Sequence, residues 1–169
     1  WVNIMRRNLI SALYSICEAE PEAYSLVYGS EEYYEIQGSV YFFPLWGGTL
    51  VAAEVTGLPE GEDYCDGHFF GFHIHEGGTC SGNEDDPFAD AGDHYNPHGC
   101  DHPNHVGDMP PLQADRGYAL LVFFTDRFIP QEVVGRTVVI HDMPDDFKTQ
   151  PSGDSGSKIA CGEIIENSL

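Results

Sequence analysis

From Ala23 onward the chain runs in short apolar segments of period two, rich in β-branched and aromatic residues and separated by turn residues. The segments at residues 23–29, 35–43, 49–58 and 69–76 predict four strands, and Gly47-Gly48 predicts a hairpin turn between the second and third. Residues 77–111 then lose any period and become rich in Gly, Pro, Asp and His, which predicts a loop of about 35 residues. Strand signals return at residues 111–115, 118–126, 136–142 and 158–164, with a second polar loop at 143–157. Eight short strands without helical crossovers predict an all-β antiparallel sandwich or barrel. Ahead of them, Leu9, Leu13 and Ile16, with Ile10 and Cys17 beside them, recur at helical spacing. Residues 1–22 therefore read as an N-terminal extension with a short docked helix, and residues 23–169 as one domain.

A chain of 169 residues with 41% apolar positions has room for one core, which agrees with that division. Charge narrows the partners. Against 7 Lys and Arg stand 28 Asp and Glu, a formal net charge of −21, the wrong sign for tracking phosphates on nucleic acid or an anionic membrane. The longest plain apolar run, Ala119–Phe124, is far short of the roughly 20 residues a spanning helix needs.

The histidines carry the chemistry. Of the 8 in the chain, all but His141 fall between His68 and His105, a concentration that points to a metal site. His73 and His75, two apart on a strand, turn their imidazoles to the same face. The loop adds His94, His102, His105 and Asp108, and three imidazoles with one carboxylate make the closed tetrahedral set that zinc favours. His141 ends a neighbouring strand from which it can reach the His73–His75 pair.

The segments GFHIHEGGTC, AGDHYNP, HVGD, VGRTVVIHDMPDD and SGSKIACGEI, in this order over residues 23–166, closely resemble the copper/zinc superoxide dismutases. The resemblance implies an eight-stranded Greek-key barrel with its metals held outside it by the two long loops. It implies copper at His73, His75, His94 and His141, and zinc at His94, His102, His105 and Asp108, with the His94 ring bridging the two. The implied reaction converts superoxide to oxygen and hydrogen peroxide by copper redox cycling, with His94 taking a proton as its bond to copper opens and zinc fixing geometry. Asp145 matches a carboxylate that ties a copper histidine to a zinc histidine. Cys80 and Cys161 match an intrachain disulfide, and Cys65 with Cys100 is a candidate second pair.

The chain also departs from the family pattern. Lys158 stands where most members carry an arginine, keeping the charge that attracts an anion but losing the planar fork that docks it. His98 competes with His102 as a zinc ligand, and the spacing of His102 from His94 is the one that matches. His68 has no counterpart and reads as structural. A non-catalytic copper- and zinc-binding protein on the same fold, storing or transferring copper, is the alternative function. Homodimers are common in the family, so one is an expectation here. The poor match of residues 6–17 to a signal peptide favours the cytoplasm, and a second disulfide would favour the periplasm or secretion.

Overall fold

The computed structural model describes residues 19–61 and 68–168. The helix expected at residues 8–17 lies outside the described residues, and so does Cys65. The strands are β1 (Ala23–Gly29), β2 (Gln37–Leu45), β3 (Gly48–Thr56), β4 (Phe69–Phe70), β5 (Phe72–His75), β6 (Leu112–Asp115), β7 (Tyr118–Thr125), β8 (Thr137–His141) and β9 (Lys158–Glu166). They form one sheet in the order β4-β6-β7-β3-β2-β1-β9-β8-β5, with every pair antiparallel. The meander β1-β2-β3 is flanked by β9 on one side and β7 on the other, a Greek-key arrangement. The edge strands β4 and β5 are consecutive in the chain, so the sheet curls into a nearly closed barrel.

The sequence reading needs two corrections. The single strand expected at residues 69–76 is two strands divided at Gly71, because the chain there leaves one neighbour for another: Phe70 pairs with Leu112, and Phe72 with Ile140. A Cβ on Gly71 would lie 2.8 Å from the Ser155 Cβ and 3.2 Å from the His141 Cβ, so glycine lets the crossing pass close under the second loop. The β2–β3 turn is Trp46-Gly47, one residue earlier than expected. Both have positive φ, 51° and 81°, as a tight two-residue hairpin requires, whereas Gly48 already belongs to β3. The long loop also contains one 3-10 turn, Ala89–Ala91, and a single α-helical turn, Pro130–Val133, precedes β8. Elements this short leave no periodic signature. Among the described residues no helix is long and apolar enough to cross a membrane.

Alternation decides what fills the barrel. Val40 and Phe42 of β2, Val51, Ala53 and Val55 of β3, Phe72 and Ile74 of β5, and Val138 and Ile140 of β8 point inward and are fully buried. Burying each large side chain of this kind stabilises the fold by about 1.5–3 kcal/mol. β5 and β8 differ from the other strands in being buried along their whole length. Their inner face meets the core, and their outer face, carrying His73, His75 and His141, lies beneath the two loops.

Candidate metal centre

β5 is an edge strand, and its free backbone groups organise the site. The Ile74 N–H donates to the Gly107 carbonyl and the Ile74 carbonyl accepts from the Tyr95 N–H, each at 2.8 Å. The loop thus pairs with the strand as an additional edge, setting His94 opposite His75 and Asp108 opposite His73. A Cβ on Gly107 would fall 2.2 Å from the Ile74 carbonyl oxygen, so this approach requires glycine. Arg136 holds the arrangement from outside, its guanidinium 3.5 Å from the centre of the Tyr95 ring and donating to the Glu76 carbonyl at 3.2 Å.

Two groups of donor atoms result, each within 4.8 Å of one another: His73, His75, His94 and His141 in one, and His94, His102, His105 and Asp108 in the other. His94 belongs to both. Its Nδ1 lies 2.8 Å from Asp108 Oδ1, and its Nε2, on the opposite side of the ring, is buried without a partner among the described residues. Nδ1 of His73, His102 and His105 is likewise buried and unpartnered. The last two lie 3.1 and 3.3 Å from the Asp108 carboxylate without hydrogen-bond geometry, as ligands around a common centre would. His75 Nδ1–H donates to the Gly92 carbonyl at 2.8 Å, which leaves Nε2 as a lone-pair donor 3.2 Å from the His141 Nε2.

Burial in this cluster opposes protonation. It lowers the His73 pKa to about 4 and that of His141 to about 3, with neighbouring imidazoles adding to the effect at His141. His75 is pushed well below its ordinary value for the same two reasons. At Asp108 burial acts to raise the pKa, but the His94 hydrogen bond and the surrounding histidines outweigh it and hold the carboxylate ionised. Neutral imidazoles and an ionised carboxylate are the forms that bind metal.

Asp145, from the second loop, joins the two groups. Its Oδ2 accepts from His73 Nε2 at 2.9 Å, and its Oδ1 from His102 Nε2 at 2.9 Å and from the Phe147 N–H at 2.7 Å. Although burial works to raise its pKa, these donors lower it to about 2. Three supports of this link and of the loop that carries His102 and His105 have no signal in the sequence. Gly153, at φ 71°, packs against it so closely that a Cβ would lie 2.1 Å from Asp145 Oδ1 and 2.6 Å from His102 Nε2. Gln150 accepts from the His102 N–H at 2.9 Å and donates to the His102 carbonyl at 2.7 Å. Arg127 donates to the His105 carbonyl at 2.9 Å and reaches those of Pro103 and Asp108 at 3.2 and 3.3 Å.

The other candidates fall out as follows. His98 is exposed and outside both groups, whereas His102 is buried within one. His68 accepts from the Gly61 N–H at 3.2 Å, away from the cluster. Lys158 pairs across the sheet with His141 and lines, with His75, His94 and His141, an open cavity of about 590 Å³. Its ammonium lies 2.5 Å from Asp86 Oδ2. Cys80 and Cys161 form a disulfide with Cα atoms 5.6 Å apart, fastening the long loop to β9, and Cys100 is exposed.

Comparison with known proteins agrees with this geometry. The family model described as copper/zinc superoxide dismutase matches residues 36–164. A copper-zinc superoxide dismutase of Deinococcus radiodurans is 36% identical over 146 residues, 76% of each chain. A second, from Aquifex aeolicus, is 32% identical over 145 residues, 77% of this chain and 80% of its own. The solved structure of a Cu/Zn superoxide dismutase from Brucella abortus superposes with a TM-score of 0.70 at 25% identity, covering 84% of this chain and 99% of that one. A match across most of the barrel and both histidine groups means that the chain belongs to the copper/zinc superoxide dismutase family.

Proposed function

We propose that this protein converts superoxide to oxygen and hydrogen peroxide, with His73, His75, His94 and His141 holding copper and His94, His102, His105 and Asp108 holding zinc. The observation that carries this reading is the set of buried, unpartnered ring nitrogens on His73, His94, His102 and His105, which face two centres sharing the His94 ring. The donor chemistry fits both ions: four imidazoles suit copper, and three imidazoles with a carboxylate suit zinc. Bound copper would supply the one-electron exchange with superoxide, and bound zinc a fixed positive charge on the far side of His94.

The chain's own groups do the rest. His94 Nε2, buried and without a partner among the described residues, holds a proton in one half of the cycle and releases it to the departing peroxide in the other, and water supplies the second proton of hydrogen peroxide. His94 Nδ1, which lies beside Asp108, is the atom that would meet zinc, and that bond would hold the ring in place while Nε2 exchanges the proton. Gly92 and Gly156 accept from the Nδ1 atoms of His75 and His141 and fix which nitrogen faces the centre. Asp145 does the same for His73 and His102 through their Nε2 atoms. Lys158 offers the one cationic side chain that lines the cavity among the described residues, where an incoming anion is met.

Metal analysis of the pure protein, together with superoxide decay before and after copper loading, tests the proposal. One copper and one zinc per chain, with decay that rises with copper content, is the expected result. A copper-storing protein is the second reading, favoured by the engagement of Lys158 with Asp86. It predicts uptake of both metals with no consumption of superoxide.

A further inference from the structure

Among the described residues, the cavity over His75, His94 and His141 is bordered by Glu76, Asp85, Asp86 and Asp93 and by a single cation, Lys158. An anionic substrate approaching through such a mouth depends on that cation, and the cation is already engaged. Lys158 Nζ lies 2.5 Å from Asp86 Oδ2, with the lysine side chain mostly buried. The carboxylate is not a passing surface group. Asp86 Oδ1 accepts from the Phe88 N–H at 3.0 Å, its own N–H donates to Asn83 Oδ1 at 3.1 Å, and its carbonyl accepts from the Asn83 N–H at 2.9 Å. Phe88 in turn packs with Val139 and Cys161 in a small apolar cluster, against which Cys80 rests. The disulfide closes the same cluster, so the turn bearing Asp86 is bound to the strand bearing Lys158.

We propose that Asp86 is a positioning residue that sets anion access to this centre: it pairs with the Lys158 ammonium, and an incoming anion must compete with the carboxylate for that charge. The proposal rests on the superoxide dismutase reading for the identity of the natural anion, but it applies to any small anion entering the cavity. A contact ion pair at a partly desolvated mouth is screened far less by salt than the distant surface acids are, so its competition persists at physiological ionic strength. Asp86→Asn is the informative change, since the amide oxygen can still accept from the Phe88 N–H and preserve the turn while the negative charge is removed.

Two measurements decide it. The chain has only two lysines, Lys148 and Lys158, and the first is exposed. Limited acetylation of the metal-free full chain, read by mass spectrometry, should show Lys158 reacting more slowly than Lys148 and accelerating several-fold relative to it in Asp86→Asn. Azide titration of the copper- and zinc-loaded protein, followed by visible absorption, should show about three- to tenfold tighter binding in Asp86→Asn. That gain should vanish when Lys158→Ala is added. Equal azide affinity in the unmutated and Asp86→Asn proteins, or a gain that survives Lys158→Ala, would overturn the proposal. Weaker azide binding in Asp86→Asn would also overturn it, by showing that the carboxylate presents Lys158 to the anion rather than withholding it. Failure of the loaded, unmutated protein to consume superoxide would remove the functional reading alone, since neither measurement depends on turnover.

Discussion

Gly153→Ala isolates the link between the two metal groups, and Gly135→Ala is its control. Both glycines lie in the left-handed region, at φ 71° and 81°, so an alanine at either position costs about 1–2 kcal/mol in backbone strain. The positions differ in surroundings. A Cβ on Gly135 meets nothing within 4 Å, whereas one on Gly153 would lie 2.1 Å from Asp145 Oδ1, 2.6 Å from His102 Nε2 and 2.7 Å from Asp145 Cγ. The carboxylate cannot yield freely, because His73, His102 and the Phe147 N–H all hold it. Displacing it sacrifices a buried charge-assisted hydrogen bond worth about 1.5–3 kcal/mol. The metal-free Gly153→Ala protein should therefore lose about 2.5–5 kcal/mol in urea unfolding, against about 1–2 kcal/mol for Gly135→Ala. Because His102 loses the partner that fixes its ring, zinc affinity measured by chelator competition should fall about 10–100-fold in Gly153→Ala and stay unchanged in the control. Equal stability losses within about 0.5 kcal/mol, with zinc held equally well, would refute the role assigned to this contact.

Four other outcomes are expected. His94→Ala should empty or disturb both metal groups, as counted by metal analysis and absorption spectra, and a variant that keeps one ion with native geometry and affinity would disprove the shared ring. Replacing Cys80 and Cys161 with serine should cost about 2–4 kcal/mol, because the bridge closes 81 residues of chain, and an unchanged urea midpoint would contradict this. The metal-free protein should lose stability as pH falls from about 6.5 to 4, where unfolded histidines take protons that buried His73 refuses. His73 alone supplies about 3 kcal/mol of that loss. Asp145, its folded pKa lowered to about 2, extends the loss from its unfolded value near pH 4 downward; a urea midpoint flat between about pH 7 and 4 would refute the His73 assignment, and one flat below about pH 4 that of Asp145. Finally, with a net charge of −21, added salt should leave superoxide decay nearly unchanged or raise it, and a steep fall would contradict this by revealing a positive funnel.

Local pattern by itself determined much of this protein. The period-two runs specified the strands, because each strand has one face in the barrel and one outside it, and the alternation of Phe72 and Ile74 with His73 and His75 already told which face bears the imidazoles. Motif order pointed to the same fold and to every residue of the two donor groups, since metal-donor side chains are confined to a few residue types wherever the chain places them. Contacts between segments distant in sequence were decided only in three dimensions. The division of β4 from β5 depends on which strands flank Gly71, and the need for glycine at 153 depends on a carboxylate and an imidazole from two different loops. Gln150 and Arg127 hold the ligand loop through its backbone carbonyls, which every residue carries and no composition can flag. Lys158 illustrates the division most plainly. Its charge and its place beside the site follow from the motif, but whether that charge is free to meet an anion depends on Asp86, 72 residues earlier, which the disulfide-fastened loop brings to within 2.5 Å.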